Sequence, residues 1–508
     1  MKKILRFLTQ RVVLTALLIL IQALLLFGII WKLNNYFIYF YAFSVLLSLL
    51  LTLRIINNKS NPAFKIAWLI PILLFPVLGG LVYLVFGSDR TGKYIRNKMG
   101  RIEKEMQDGI SKANERSGIE KMPPDVVNQS HYISNSAHCP PYKNTTVEYL
   151  PMGEVKFERM VQELKKAKRY IFMEYFIIQE GTMWNTILDV LEEKAKEGVD
   201  VRVIYDDMGC ILTLPTGYEK TLREKGIQCQ IFNPFIPILS SHFNTRDHRK
   251  ICVIDGNVGF TGGINLADEY INGYEKHGHW KDTAILLKGE AVFSLTTMFL
   301  SMWDYLIKKE GEDYAAYYPD SWDENAQGIV QPFADNPLDD EAVGETVYLN
   351  LINKAKRYVY ITTPYLILSN EMVTAMNTAA KSGVDVRIIT PHVPDKWYVH
   401  AVSRSYYEML VEAGVKIYEY TPGFVHAKTF VVDDEYAVVG TINLDYRSLY
   451  LHFECAAWMY KASCVTDVRD DFLKTQQMSQ EITLEKCRNI SIPRRLGRSV
   501  LRVLAPLM

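Results

Sequence analysis

The sequence predicts an α/β protein of two repeated halves, each a β-sheet covered by helices, preceded by N-terminal transmembrane helices. Three observations carry this. One string of residues occurs twice: His248, Lys250, Asp255, Gly262-Gly263 and Asn265 return as His426, Lys428, Asp433, Gly440-Thr441 and Asn443, with every spacing preserved. A chance match to that many fixed residues is on the order of one in ten million per start position. The chain around both copies alternates short β-branched runs with helical periodicity, as a sheet covered by helices requires. The first 87 residues are strongly apolar and contain no Asp or Glu.

Taken in chain order, residues 1–87 read as a membrane anchor. Val12 to Trp31 is an uncharged run of membrane-crossing length, too long for a signal peptide and followed by no small-residue cleavage site. Tyr36 to Leu53 reads as a second span. Ile66 to Phe86 reads as a third, broken by Pro71, Pro76 and Gly79-Gly80. The basic residues before the first span, and Arg54, Lys59 and Lys65 after the second, place both flanks in the cytoplasm. Arg90, Lys93, Arg96, Lys98 and Arg101 argue that the following part is cytoplasmic too. A re-entrant third segment reconciles the two. The expected location is a multi-pass protein of the cell membrane with its catalytic part at the cytoplasmic face.

Residues 88–145 read as a connector, helical around 93–116. Residues 146–330 form the first repeat and 331–485 the second. Ala167-Lys168-Arg169-Tyr170-Ile171 returns as Ala355-Lys356-Arg357-Tyr358-Val359, and Gly198-Val199-Asp200-Val201-Arg202 as Gly383-Val384-Asp385-Val386-Arg387. In the first repeat, Tyr170–Ile178 reads as a strand, Thr182–Lys196 as a helix, Val199–Tyr205 as a buried strand, and Ile251–Ile254 as a strand following the His-x-Lys. Residues 486–508 form a basic amphipathic tail, with Leu496, Val500, Val503 and Leu507 on one face and Arg495, Arg498 and Arg502 beside it. Such a helix suits an anionic membrane surface.

Charge narrows the partners. The chain has 57 basic and 57 acidic residues, and eight of the basic ones lie in the acid-free anchor. Residues 88–508 are therefore net acidic, which argues against nucleic acid, whose backbone needs a basic footprint. Seven scattered cysteines without a C-x-x-C suggest neither a disulfide framework nor a zinc site.

Residues two apart on a strand share a face, so each histidine and its lysine can meet one ligand. A phosphodiester requires a nucleophile, positive charge or donors for the non-bridging oxygens, and an acid for the leaving oxygen. Two imidazoles, two lysines and two asparagines supply these. A metal site is the rival reading, because His and Asp are common ligands, but two converging lysines repel a divalent cation. Asp255 and Asp433 end the strand and read more readily as structural than as substrate contacts.

The duplicated string resembles the HKD signature of the phospholipase D superfamily, over roughly residues 145–485. Within it the chain is similar to bacterial cardiolipin synthases, through Ala67-Trp68-Leu69, Phe75-Pro76-Val77-Leu78-Gly79, Asp247-His248-Arg249-Lys250, Thr363-Pro364-Tyr365 and Leu504-Ala505-Pro506-Leu507. Three apolar segments precede the catalytic part where the family leads one to expect two. The resemblance implies two phospholipase D-like lobes, each with a mixed sheet, facing each other across a pseudo-twofold. It implies a metal- and cofactor-free phosphatidyl transfer between phosphatidylglycerols through a phosphatidyl-histidine. His248, Lys250, Asp255, His426, Lys428 and Asp433 are the expected catalytic set, with His248 as nucleophile and His426 as acid and base. Asn265 and Asn443 are expected at the phosphate. A carboxylate behind each ring is expected from the matching positions after the motifs: Asp282 behind His248 and Glu454 behind His426. A hydrolytic phospholipase D or another phosphatidyltransferase of the same superfamily, and a non-enzymatic membrane scaffold, are the alternatives. Pro234 to Leu239, just before His248, is a candidate acyl access or bilayer contact.

Overall fold

The computed structural model of the chain describes residues 11–32, 37–87, 93–113, 119–235, 244–309 and 311–507. Most of the acyl-access candidate, residues 236–239, lies outside them.

The two repeats fold into sheets of the same design. In the first, the strand order in space is Thr145–Leu150, Ala284–Gly289, Val258–Gly262, Lys250–Ile254, Tyr170–Tyr175, Asp200–Asp206, Gln228–Phe232. In the second it is Ile329–Asp335, His452–Tyr460, Tyr436–Gly440, Thr429–Val432, Tyr358–Thr362, Asp385–Pro391, Lys416–Tyr420, closed by Ser479–Ile482. Each sheet is mixed: Tyr170–Tyr175 runs parallel to Asp200–Asp206 but antiparallel to Lys250–Ile254, and Tyr358–Thr362 does the same with its neighbours. The parallel strands Asp200–Asp206 and Asp385–Pro391 are buried from their fourth residue onward, as strands covered on both sides are. The helix expected over Thr182–Lys196 spans those residues and buries Trp184, Ile187 and Leu191 on its inner face.

The lobes are joined by exchange of backbone pairing. Arg246–Asp247, just before the first motif, pairs in parallel with His452–Phe453 of the second lobe. His279–Lys281 pairs in parallel with Gly423–Val425, just before the second motif. Each histidine is thereby tied to the opposite lobe: His248 N donates to Phe453 O at 2.9 Å, and His426 N to Lys281 O at 2.7 Å.

The expected connector is part of the body. The helix Lys93–Ala113 buries Met99, Ile102, Met106 and Ile110, and Lys98 Nζ donates to Tyr305 O at 2.6 Å. Tyr142 bridges to Val330 of the second sheet.

Helices α1 (Arg11–Lys32) and α2 (Phe37–Ile56) form the N-terminal end. The third apolar segment is two short helices, α3 (Pro62–Leu74) and α4 (Pro76–Phe86), which pack on each other and on α2. The break at Phe75 follows from Pro76, which disfavours helical geometry in the residue before it. Gly79 is required there, because a Cβ would lie 2.2 Å from Pro71 O. At 13 and 11 residues these helices are about 20 and 16 Å long. Contrary to the expected transmembrane helices, among the described residues no helix is long and apolar enough to cross a membrane. What the structure shows is apolar side chains facing outward, including Leu24, Leu25, Leu50 and Leu74. The segment also docks on the second lobe: Asn61 Nδ2 donates to Tyr450 OH at 2.8 Å, and Phe64 packs edge-on against Tyr446 and Tyr450.

The tail helix, Ile492–Leu504, reverses the expected arrangement. Two of its arginines contact the protein: Arg495 pairs with Glu408 at 2.9 Å, and the Arg502 guanidinium lies 4.2 Å from the Tyr406 ring. Ile492, Leu496, Val500 and Val503 face outward. Glu408 and the Tyr406 ring, both on the Trp397–Glu412 helix, attract the cationic face and leave the apolar stripe uncovered.

Candidate active site

Both motif histidines are buried at the junction of the lobes. The carboxylate behind each ring comes from the opposite lobe. His248 Nδ1 lies 2.9 Å from both Glu454 oxygens, and His426 Nδ1 lies 2.6 Å from Asp282 Oδ2. Both carboxylates were expected, but with the pairing reversed. The reason is the strand exchange: the segment carrying Glu454 runs beside Arg246–Asp247, and the segment carrying Asp282 runs beside Gly423–Val425.

Nδ1–H donated to a carboxylate leaves Nε2 as the free base in each ring. Burial first, then Lys250 and Lys428, hold His248 well below the ordinary 6.5. Burial and Lys428, against the pull of Asp282, bring His426 to about 4. Burial also lowers Lys250 to about 8 and Lys428 to about 7. Each lysine Nζ donates to the carbonyl of its own motif histidine, at 2.5 Å for Lys250 to His248 O. His248 feels Lys428 and His426 from the other lobe, so the two histidines and two lysines share one site.

The carboxylates are held differently. Asp282 Oδ1 accepts from Thr283 N at 2.7 Å and sits against Gly263, where a Cβ would lie 2.1 Å away. In the second lobe Thr441 occupies the corresponding position, and its hydroxyl donates to Glu454 Oε2. Thr441 is thus a positioning residue for which the motif gave only the Gly/Thr difference as a signal.

Asn265 Oδ1 accepts from Ile177 N at 3.0 Å and its amide donates to Tyr270 OH at 2.7 Å. Asn443 donates to Ser448 Oγ at 2.9 Å. Both brace the site's loops, each with one N–H committed inside the protein. Asp255 and Asp433, counted with the catalytic set, do not join it. They sit at the far end of the motif strand, roughly 17 Å of extended chain beyond the lysine. They have φ of 53° and 56°, and accept backbone N–H groups from Lys168, Arg169 and Tyr170 and from Lys356, Arg357 and Tyr358. Their role is to clamp a turn.

The surroundings are unequal. Tyr270, Trp280 and Phe424 surround His426. His248 has Phe176 on one side and His452, with ring centroids 5.7 Å apart, on another. Among the described residues one group, His248, His452 and Glu454, has the donor spacing of a metal site. The charges of Lys250 and Lys428 act on His248, so the donor set does not fit a divalent cation.

The family described as cardiolipin synthase, PLD-like domain, matches residues 160–303 and 348–476. The chain belongs to this family. A second pattern, phospholipase D-nuclease N-terminal, matches residues 46–88, which include α3 and α4. A cardiolipin synthase of Geobacillus kaustophilus is 36% identical, over 92% of this chain and 94% of that one. An uncharacterized protein of Streptococcus mutans is 47% identical over 90% of this chain and 99% of its own length. The fold is also that of a phosphatidylserine synthase of Haemophilus influenzae, with TM-score 0.58 and 14% identity over 75% of this chain and 100% of that one. The family is one of enzymes, and the paired His–carboxylate sets of this chain are complete.

Proposed function

We propose that the protein is a cardiolipin synthase. It moves the phosphatidyl group of one phosphatidylglycerol onto the glycerol headgroup of a second, releasing glycerol. The observation that carries this is the pair of neutral imidazoles, each oriented by a carboxylate of the opposite lobe, with two lysines beside them. In this reading His248 Nε2 attacks phosphorus and Glu454 stabilises the imidazolium that forms. Lys250 and Lys428 hold the non-bridging oxygens. The phosphodiester's negative charge offsets theirs and raises the pKa of His426, which protonates the departing glycerol oxygen. His426 then takes the proton of the incoming hydroxyl. The lysines supply the charge that a metal otherwise would, so no cofactor is needed.

The substrate is a membrane lipid, and the outward apolar surfaces of α1–α4 and of the tail helix support a membrane-bound protein. The basic flanks favour the cytoplasmic face. The net acidic body speaks against nucleic acid.

The test uses full-length protein, phosphatidylglycerol vesicles with labelled donor, and excess chelator. Cardiolipin and glycerol are expected in equal amounts. Phosphatidic acid as the sole product, or activity lost with a removable metal, refutes the proposal. Acid quenching of the wild-type enzyme during turnover should trap label on His248 and none on His426. Glu454→Gln should trap little. The opposite pattern reverses the roles of the two histidines.

A further inference from the structure

A cavity of about 1150 Å³ lies between the N-terminal helices and the second lobe. On the side of α3 and α4 its walls are apolar, including Phe64, Trp68, Val82 and Phe86. Its other wall carries Arg447, His452 and Phe453. That wall adjoins the chemistry: Phe453 O accepts from His248 N, and the His452 ring lies beside that of His248. The cavity therefore lies between the apolar helices and two residues, His452 and Phe453, that contact His248 directly.

Arg447 is the cation placed to receive an anion there. It is largely buried and, among the described residues, has no carboxylate ion pair. Its one side-chain hydrogen bond is from Nε to His452 Nε2, at 3.4 Å. The neighbouring Asp445 is occupied in capping its own helix, accepting from Arg447 N at 2.8 Å and Ser448 N at 3.0 Å. Among the other cations lining the cavity, Arg96 pairs with Asp340 at 3.1 Å, Lys98 donates to Tyr305 O at 2.6 Å and Lys65 to Ile56 O at 2.9 Å, while Lys59 and Lys308 are exposed to solvent. Asp335 also lines the cavity. Burial raises it well above the usual carboxylate range, and it accepts from Gly344 N at 2.8 Å. His452 is held neutral, at about 3, chiefly by burial. The positive charge of the inner wall therefore belongs to Arg447.

We infer that this cavity is the acceptor site, with Arg447 binding the phosphate of the second glycerophospholipid and the wall of α3 and α4 holding its acyl chains. The inference rests on the transfer reading above. In the step it serves, the acceptor's headgroup hydroxyl oxygen bonds to phosphorus as the bond to His248 breaks. The bonding pair returns to the imidazole and the hydroxyl proton goes to His426.

The experiment measures, in full-length protein on phosphatidylglycerol vesicles, the rate at which the phosphatidyl-enzyme forms and its partition between cardiolipin and phosphatidic acid. Arg447→Gln should lower the ratio of cardiolipin to phosphatidic acid about tenfold to a hundredfold, the usual worth of a charge-assisted hydrogen bond. Arg447→Lys should restore part of it. Val82→Trp, which narrows the cavity from the opposite wall and removes no charge, should shift the ratio the same way. An unchanged ratio in Arg447→Gln and Val82→Trp overturns the inference. So does a loss in Arg447→Gln that falls wholly on formation of the phosphatidyl-enzyme. If wild-type protein yields phosphatidic acid alone, the transfer reading itself fails, which is a separate and recognisable result.

Discussion

Replacing Gly263 with Ala tests how closely the two lobes are fitted. The added Cβ would lie 2.1 Å from Asp282 Oδ1 and 2.9 Å from its Cγ, so the carboxyl must retreat by about 1 Å to reach ordinary contact. It has little freedom to do so, being fully buried with Oδ1 bonded to Thr283 N at 2.7 Å. The retreat is taken from the 2.6 Å bond to His426 Nδ1. A buried charge-assisted hydrogen bond is worth about 1.5–3 kcal/mol, which corresponds to a loss of roughly 10- to 150-fold in rate. The assay is the initial rate of cardiolipin formation on vesicles, with thermal unfolding as a check that the protein is folded. A double-mutant cycle isolates the mechanism: in an Asp282→Ala background the substitution at 263 should cost little more, because its clash partner is gone. A fully active Gly263→Ala protein, or effects that multiply in the cycle, refute the reasoning.

Two other outcomes follow from charge. Burial brings Lys428 from 10.5 to about 7 and Lys250 to about 8, so kcat/KM on a soluble phosphodiester should decline as pH rises through 7 to 8. Because these pKa values are depressed on folding, the unfolded chain binds more protons between about 7 and 10.5, and stability should rise with pH across that window. In Lys428→Arg the alkaline limb should move upward, since guanidinium keeps its charge; a limb that stays in place contradicts the assignment. For the tail, Leu496→Gln with Val500→Gln should weaken vesicle binding without lowering the melting temperature. Arg502→Gln should lower the melting temperature instead, through loss of a Tyr406 contact worth about 0.5–1 kcal/mol. Salt-sensitive vesicle binding lost in the arginine variant alone restores the opposite orientation.

Much of this arrangement is legible in the residues. The repeated spacings give two sheets of one strand order, because each spacing is a strand length or turn that the backbone must reproduce. Asp282 and Glu454 were legible as the required carboxylates, yet not their pairing. Spacing reports neighbours along one repeat, whereas these bonds cross from one repeat to the other. Asp255 and Asp433 are the opposite case. Their invariant spacing within the string reflects a turn that needs N–H acceptors and a positive φ, not proximity to the phosphate. The tail's amphipathic period was plain, but period alone does not say which face meets the protein. Glu408 and Tyr406, on a helix far away in the chain, decide that. Arg447 carries no periodic or motif signal; it stands out only in three dimensions, by lacking an ion-pair partner among the described residues.

The crossing of the two carboxylates has a consequence for synthesis of the chain. His248 and its partner are separated by 206 residues, and His426 and its partner by 144. Domains generally fold as units, the N-terminal one first, as the polypeptide leaves the ribosome. A finished first lobe thus holds a histidine with no group to fix its tautomer until residue 454 has emerged and the second sheet has docked. On the proposed mechanism the nascent chain is therefore chemically silent and becomes competent only with its final tertiary contacts. Activity is therefore a readout of complete assembly: a chain truncated before residue 454 leaves His248 without its carboxylate, however well its first half is folded.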